Sequence, residues 1–433
     1  MKNTLSYKIN SINEVFERLL LISKSYRKSA VYYSSSYQDK YSSYDLIAGI
    51  GETETFSSYN SKTAMNEFAE FARKHKTWLF NVVSYDVKNN FEKLSSNNTN
   101  RLNFPEIVSF SPEFLIQVKS GILQISSDKE KQDIENFYTS LQNTKTEPGK
   151  QVIGEISESV SKKEYLDKIQ KIQNHIQKGD VYELNYCIEY NADYQELTPE
   201  YLSLNLNRIS PVPFFAFYKF DSYYLLSASP ERFIKKNGEL IISQPIKGTI
   251  KRSSYKAEDN KMKEQLANSE KDKSENVMIV DLVRNDLSKI AQRSTVKPEE
   301  LFGIYTFPQV HQMISTVSCK MKENTSIFDI FKALFPPGSM TGAPKIRAME
   351  LIEEYENTKR SWYSGTVGYI SPEMDFDFNV IIRSLLINSS IKKLSFEVGG
   401  AITSKSDADN EYEECLLKAK AIMQLLKNEK DVQ

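Results

Sequence analysis

Strand-like segments that arrive in runs constrain the fold of this chain most. Apolar stretches at 364–370, 380–388 and 394–402 follow one another with no helical pattern between them. Helical spacing occurs elsewhere. From 161 to 178, Tyr165, Ile169, Ile172 and Ile176 keep the period of one helix face, and Gly179-Asp180 closes that helix before a strand-like segment at 181–190. Segments 326–335, 343–355 and 410–426 also read as helices. Runs of strands with helices interspersed predict an α+β fold with a mainly antiparallel sheet, not a doubly wound parallel one.

Residues 1–150 are rich in Ser, Tyr, Asn and Lys. They alternate short apolar runs, such as 78–83, with polar turns, a pattern that suggests strands and loops more than long helices. The polar stretch 129–154, with Thr-Glu-Pro-Gly at 146–149, reads as a linker or long surface connection. The expected division is therefore an N-terminal region, 1–150, packed on a catalytic domain, 151–433. With 56 basic against 57 acidic side chains and a net charge of -1, no whole-molecule field recruits nucleic acid or a membrane surface. The ligand must be selected locally. The N-terminus lacks the apolar run of a signal peptide and nowhere do about 18 apolar residues run together, so a cytoplasmic protein is expected. Cys187, Cys319 and Cys415 are too scattered for a disulfide framework, and three histidines do not make a His-rich metal site.

The chemistry gathers in the second half. Lys247 stands between Pro245 and Gly248-Thr249 in an otherwise buried-looking strand. It is either a solvated strand-end lysine or an amine whose preference for the charged form falls with desolvation, which makes it a nucleophile. Glu231, in Ser229-Pro-Glu-Arg-Phe233, is either an acid or base, or the ion-pair partner of Arg232. Glu275 lies at the head of an apolar helix, and Glu411, Glu414 and Lys418 share one face of a later helix by their i, i+3 and i+7 spacing. These acids are either exposed helix carboxylates or, as a pair from two helices, an apt ligand set for magnesium, which accepts few protein carboxylates. The stretch 335–345 fails as a phosphate loop, because no Gly-Lys-Ser/Thr follows its glycines, yet the helix start marked by Pro344 leaves an anion site open. Arg383 lies in an apolar strand where its natural partner is a planar carboxylate. Gly399-Gly400-Ala401 allow close approach to backbone.

Taken in order, Gly179-Asp-Val-Tyr182, Ser229-Pro-Glu-Arg-Phe233, Pro245-Ile-Lys-Gly-Thr249, Glu275-Asn276 with Asp281-Leu-Val-Arg-Asn-Asp286, Pro337-Gly-Ser-Met-Thr-Gly-Ala-Pro-Lys345, Ser364-Gly-Thr-Val-Gly-Tyr369 and Glu411-Tyr-Glu-Glu414 resemble the chorismate-utilising enzymes. The resemblance covers about 155–427, with a fainter match at 84–92. It implies a large chorismate-binding fold of stacked, mainly antiparallel sheets flanked by helices. Lys247 points to the aminodeoxychorismate synthase component I branch, because anthranilate synthases typically carry Ala there. By the resemblance, the Lys247 amine attacks ring carbon 2 of chorismate with loss of the 4-hydroxyl, and ammonia then enters at carbon 4 and expels the lysine. Glu231 assists proton transfer, and His311 matches a family histidine near the reacting face. Mg2+, held by Glu275 and Glu414 with Glu411 nearby, grips the ring carboxylate, aided by Lys418. Arg383, Tyr369 and the backbone of Gly399, Gly400 and Ala401 grip the enolpyruvyl carboxylate, and Gly248, Thr249 and Thr341 line the pocket. The product, 4-amino-4-deoxychorismate, leads to para-aminobenzoate and folate. This chain has no convincing glutaminase Cys-His pair, so a separate glutamine amidotransferase subunit is expected to supply the ammonia.

Three departures from the family pattern stand out. Gly-Gly-Ala at 399–401 replaces the Gly-Ala-Gly of many relatives. Glu183 stands where these synthases usually have Gln and isochorismate synthases have Lys, which argues against isochorismate chemistry. No Leu-Leu-Glu-Ser motif is recognisable in the N-terminal region, so inhibition by tryptophan is not expected. The alternatives are an anthranilate synthase component I, which releases pyruvate, and a non-catalytic chorismate-binding subunit.

Overall fold

The computed structural model describes residues 1–37, 39–145, 148–307 and 310–427. Two large antiparallel sheets dominate it. The first runs, edge to edge, through Asn3–Lys8, Ile122–Ser127, Phe114–Lys119, Leu46–Ile50, Lys28–Tyr33, Phe214–Phe220, Tyr223–Ser229, Ser384–Asn388, Lys393–Ile402, Glu183–Leu197 and Ser157–Glu158. The second runs through Ile246–Lys251, Val310–Lys320, Leu240–Ser243, Arg232–Asn237, Phe376–Val380, Thr366–Ile370, Leu79–Val83, Ile107–Ser111 and Glu54–Ser58. This is the antiparallel α+β arrangement expected from the runs of strands, with the stacked sheets that the resemblance implies. Both sheets continue across residue 150: Phe215 pairs with Tyr33 in the first, and Thr366 with Val83 in the second.

The pleat explains the stacking. Along 214–220, Phe215 and Phe217 enter a core capped by helices, whereas Ala216 and Tyr218 enter a second core shared with Phe80, Phe110, Ile234 and Phe378 of the other sheet. Helices Ile12–Ile22, Lys131–Asn143, Lys162–Lys178 and Ala408–Leu426 contribute apolar faces to the first core. Ala64–His75, Glu270–Ile290 and Ile327–Leu334 contribute theirs to the second. No helix of the described residues is long and apolar enough to cross a membrane.

The helix expected at 161–178 forms as Lys162–Lys178, with the Ser161 hydroxyl accepting the Glu164 N–H and Gly179, at φ +84°, ending it in the left-handed conformation. The 343–355 helix begins at Lys345, after Pro344. The Lys345 ammonium is taken up by the protein itself: it bonds Asp286 at 2.5 Å and the carbonyls of Leu334 and Pro336.

Three expectations are corrected. Residues 1–150 hold helices of 11, 12 and 13 residues at Ile12–Ile22, Ala64–His75 and Lys131–Asn143. Ser, Asn and Lys fill their outer faces and mask the period, while Val15, Phe16, Leu19 and Leu20 keep it on the buried side of the first. Half of the expected linker 129–154 is the third of these helices, anchored by Ile134, Phe137 and Leu141; its Thr146 and Glu147 lie outside the described residues. The strand expected at 380–388 is two strands, Phe376–Val380 and Ser384–Asn388, belonging to different sheets.

Candidate active site

The site forms where the chain passes from one sheet to the other. Glu231 lies in the crossover between Tyr223–Ser229 of the first sheet and Arg232–Asn237 of the second. Arg383 lies in the return crossover, between Phe376–Val380 and Ser384–Asn388. The two crossovers are bound together by Val380 N–H to Glu231 O (3.0 Å) and Ala228 N–H to Arg383 O (3.2 Å). A third link joins the sheets here: the Lys247 ammonium, from the edge strand of the second, bonds Oε1 of Glu183, at the start of a strand in the first, at 2.5 Å. Both side chains are at least nine-tenths buried.

That pair revises the expected chemistry of Lys247. Burial alone pulls its amine toward the neutral form, but Glu183, then Glu275 and Glu231, outweigh burial and raise its pKa above the ordinary lysine value. Lys247 therefore rests as an ammonium, and a nucleophilic role requires a proton acceptor. Gly248 follows at φ +91°, where a side chain would be strained and its Cβ would come within 3.0 Å of Asp272. The glycine lets the strand turn tightly against the helix Glu270–Ile290 that carries Glu275.

Arg232 is not the partner of Glu231. It is fully buried, donates to Asp377 at 2.8 and 3.1 Å and to Asp39 at 2.5 Å, and stacks over Phe214. Glu231 is left to the site. Its carboxyl is pushed up to about 7 by burial, against the opposing effects of the Ser339 hydroxyl, the Lys247 ammonium, the Ile246 N–H and Arg383. A group poised there holds or releases a proton at neutral pH. The folded state resists its ionisation. The cost is absent below the ordinary carboxylate range and grows as pH rises to about 7. Glu231→Gln should thus match the parent protein in stability at pH 5 and exceed it by about 2–3 kcal/mol at pH 8, as chemical denaturation at the two pH values would test. An unchanged difference would place Glu231 in a more polar setting.

Arg383, at φ +52°, sits in a break and not in a strand as expected. Its guanidinium has no hydrogen bond or ion pair among the described residues; the charge acting on it is that of Glu231. Burial lowers its pKa, and an incoming carboxylate would offset that cost. Nearby, Ser384–Asn388 pairs with Lys393–Ile402 only as far as Phe396, so Gly399–Ala401 have a strand neighbour on one side alone, the 183–197 strand. On the open side the Gly399 carbonyl accepts from Lys418 at 2.7 Å. A Cβ on Gly400 would lie 3.1 Å from Oε2 of Glu411, so the absent side chain makes room for the helix Ala408–Leu426.

The acids of that helix meet those of 270–290 through Lys271. It lies 3.9 Å from Glu275 and also acts on Glu411 and Glu414. Burial raises the carboxyls of Glu275 and Glu411, whereas Lys418, 2.7 Å from Glu414, helps hold that carboxyl low despite burial. Among the described residues no three His, Cys, Asp or Glu side chains form a ready metal cage. A hard cation that keeps its waters and shares its shell with an anionic ligand needs only one or two carboxylates, so this donor set fits magnesium in kind.

Other expected residues have their polar groups engaged within the fold. His311 is buried with its ring nitrogens 3.0 Å from Thr306 and 3.0 Å from Asp259, which also pairs with Arg252; among the described residues its hydrogen bonds reach neither Lys247 nor Glu231. Thr341 turns its hydroxyl onto the carbonyls of its own loop, at Gly338 and Pro337, and Thr249 accepts from Gln312 at 3.3 Å. Tyr369 packs against Tyr44 and Trp78 and lines a second cavity with Tyr32, Ser43, Phe214 and Asn379. Sequence reasoning missed Ser339 and left Glu183 without a role; it also passed over Tyr363, whose hydroxyl lies 3.9 Å from Cys187, the cross-strand partner of Gly399. Tyr363 immediately precedes the Ser364-Gly365 that was read for other reasons.

Comparison with known proteins agrees with this architecture. The model of the chorismate binding enzyme family matches residues 24–424. Aminodeoxychorismate synthase component 1 of Escherichia coli (strain K12) is 38% identical over 270 residues, 62% of this chain and 58% of that protein, so the chain matches under two thirds of that relative's length. The anthranilate synthase component I-like protein of Synechocystis sp. is 31% identical over 357 residues, 81% of this chain and 73% of that one. Among solved structures, anthranilate synthase component I from Streptococcus pneumoniae TIGR4 superposes with a TM-score of 0.78 at 21% identity, covering 90% of this chain and 94% of that chain. The menaquinone-specific isochorismate synthase of Escherichia coli superposes at 0.74 and 16% identity, covering 98% and 94%; at such identities the likeness is one of fold. With a family match spanning nearly the whole sequence and the two-sheet fold to go with it, the chain belongs to the chorismate-binding enzyme family.

Proposed function

We propose that this protein is an aminodeoxychorismate synthase component I, a cytoplasmic enzyme that converts chorismate and ammonia to 4-amino-4-deoxychorismate for para-aminobenzoate and folate synthesis. The carrying observation is a buried carboxyl, Glu231, poised near neutrality and acted on by both the buried Lys247 ammonium and an unpaired guanidinium at Arg383. Chorismate is a dicarboxylate. Arg383 and the open backbone side of Gly399–Ala401 take the enolpyruvyl carboxylate, and the end of the site formed by Glu275, Glu411, Glu414 and Lys418 takes the ring carboxylate. Magnesium bound at those glutamates would supply positive charge for that second carboxylate. Holding both ends fixes the ring against Lys247, and such positioning removes several kcal/mol from a barrier. The Lys247 amine bonds to ring carbon 2 while Glu231 protonates the departing 4-hydroxyl. Ammonia from a separate glutamine amidotransferase subunit then bonds to carbon 4 and releases the lysine. Tyr369, turned to the other cavity, has no part in this reading.

A second reading, anthranilate synthase component I chemistry, draws on the Synechocystis relative, whose match extends over 81% of this chain. One experiment separates the two. Pure protein incubated with chorismate, magnesium and ammonium should yield a product with the mass of aminodeoxychorismate and release no pyruvate. An aromatic product formed with pyruvate would decide for the second reading.

A further inference from the structure

The function proposed above leaves a chemical gap: the attacking amine rests as an ammonium, and an ammonium has no lone pair with which to attack. Ring-facing acids do not fill the gap. Glu231 is committed to the leaving hydroxyl, and Glu275 lies on the helix assigned to the cation. The group in direct contact with the Lys247 amine is Glu183, at 2.5 Å from its Oε1. No other hydrogen bond of either side chain is found among the described residues.

We propose, resting on the reading of Lys247 as nucleophile, that Glu183 is the catalytic base for that lysine. It takes the Nζ proton before the amine attacks, keeps it through the covalent stage, and returns it when the lysine is released. The step balances. Before attack the proton moves from Nζ to Oε1; then the Nζ–C2 bond forms, the ring double bond shifts, and the C4–O bond breaks with the Glu231 proton leaving in water. When ammonia bonds to C4, the C2–N bond breaks and the lysine departs as a neutral amine. The product ammonium gives a proton to Glu231, and Glu183 gives its proton back to Lys247. Nothing is oxidised, and no outside base is needed.

The placement supports this role over a merely structural pair. Glu183 begins the strand Glu183–Leu197, where Gly342 and Ala343 of the 335–345 loop pair with Leu184 and Glu183. Its backbone is thus held against Ala343, with Leu184 next to it paired on both sides, and the carboxylate is delivered to one atom. The glutamine usual at this position in these synthases can accept a hydrogen bond from the amine but cannot take its proton. Charges from every packed element remain if Glu183 is removed: Glu275 and Asp272 from helix 270–290, Glu231 and Arg383 from the crossovers, and Glu414 from the last helix. Glu275 and Glu231 still favour the ammonium form of Lys247 against burial.

The test is the pH dependence of adduct formation, followed by rapid quench and mass of the intact protein after mixing with chorismate and magnesium but no ammonia. With Glu183 in place the proton moves inside the pair, so the rate should be nearly flat from about pH 6.5 to 8.5. In Glu183→Gln the proton must leave to solvent, so the rate should be at least about tenfold lower at pH 7 and climb up to about tenfold per pH unit. KM for chorismate should change little. Glu183→Asp should keep the flat profile at reduced rate, a rescue that a structural pair would not produce in this form. A Glu183→Gln profile parallel to the parent's, or a faster rate at all pH values, overturns the proposal while leaving Lys247 as the nucleophile. No adduct in the parent protein overturns the nucleophile reading itself.

Discussion

Mixed with chorismate and magnesium in the absence of ammonia, the protein should gain mass equal to a chorismate-derived adduct, mapping to Lys247, and Lys247→Ala should gain none. Aminodeoxychorismate formation by Lys247→Ala should fall at least about a hundredfold, the order of magnitude lost with a positioned proton-transfer or nucleophilic group. Some direct attack by ammonia should remain, because Arg383 and the acids of the two helices still hold the ring. Partial rescue at high ammonium concentration is therefore expected. Lys247→Arg should not rescue, since a guanidinium stays protonated and cannot attack. It also keeps the ion pair with Glu183, so a defect equal to that of Lys247→Ala would tie the loss to the amine and not to the packing. Unchanged turnover in Lys247→Ala would remove the basis for this branch of the family.

The pieces legible in the sequence were those governed by local rules. Ser161 and Gly179 bracket a helix with caps that depend on neighbours a few residues away, and the helix formed as expected. Runs of strands implied antiparallel sheets because that inference needs only order along the chain. What could not be read were contacts between distant positions. Glu183 and Lys247 are 64 residues apart and belong to different sheets. Nothing in the local pattern of either says that one would hold the charge of the other, and desolvation alone gave the wrong direction for the amine. The crossovers at 230–231 and 381–383 were invisible for the same reason. The apolar run through 380–388 is continuous in hydropathy, yet its chain steps from one sheet to the other at Arg383, and that step is what brings the guanidinium beside Glu231. Tyr369 and Tyr363 lie six residues apart; only the folded chain shows that the first packs against Tyr44 and Trp78 and the second faces Cys187.

Chelation of divalent metal should abolish turnover, and magnesium should restore it. Glu275→Gln and Glu414→Gln should each lower activity at limiting magnesium by about a hundredfold or more, because each removes one charge from a donor set that has few. Their effects on the fold separate the two. Burial raises the Glu275 carboxyl, so ionised Glu275 costs the metal-free protein stability above the ordinary carboxylate range. Glu275→Gln should accordingly leave the metal-free melting temperature unchanged or raise it at pH 8. Glu414 is held low, in part by Lys418, the favourable case; but its side chain is about half exposed and solvent screens the pair. Glu414→Gln should therefore lower the melting temperature only slightly. Added magnesium should raise the melting temperature of the parent protein and do so much less for either variant, since a ligand bound only by the folded state stabilises it in proportion to its affinity. That shift reads binding without any turnover. If both variants lost activity yet kept the full magnesium-dependent shift, Glu275 and Glu414 would act on the substrate directly, and the cation would lie elsewhere.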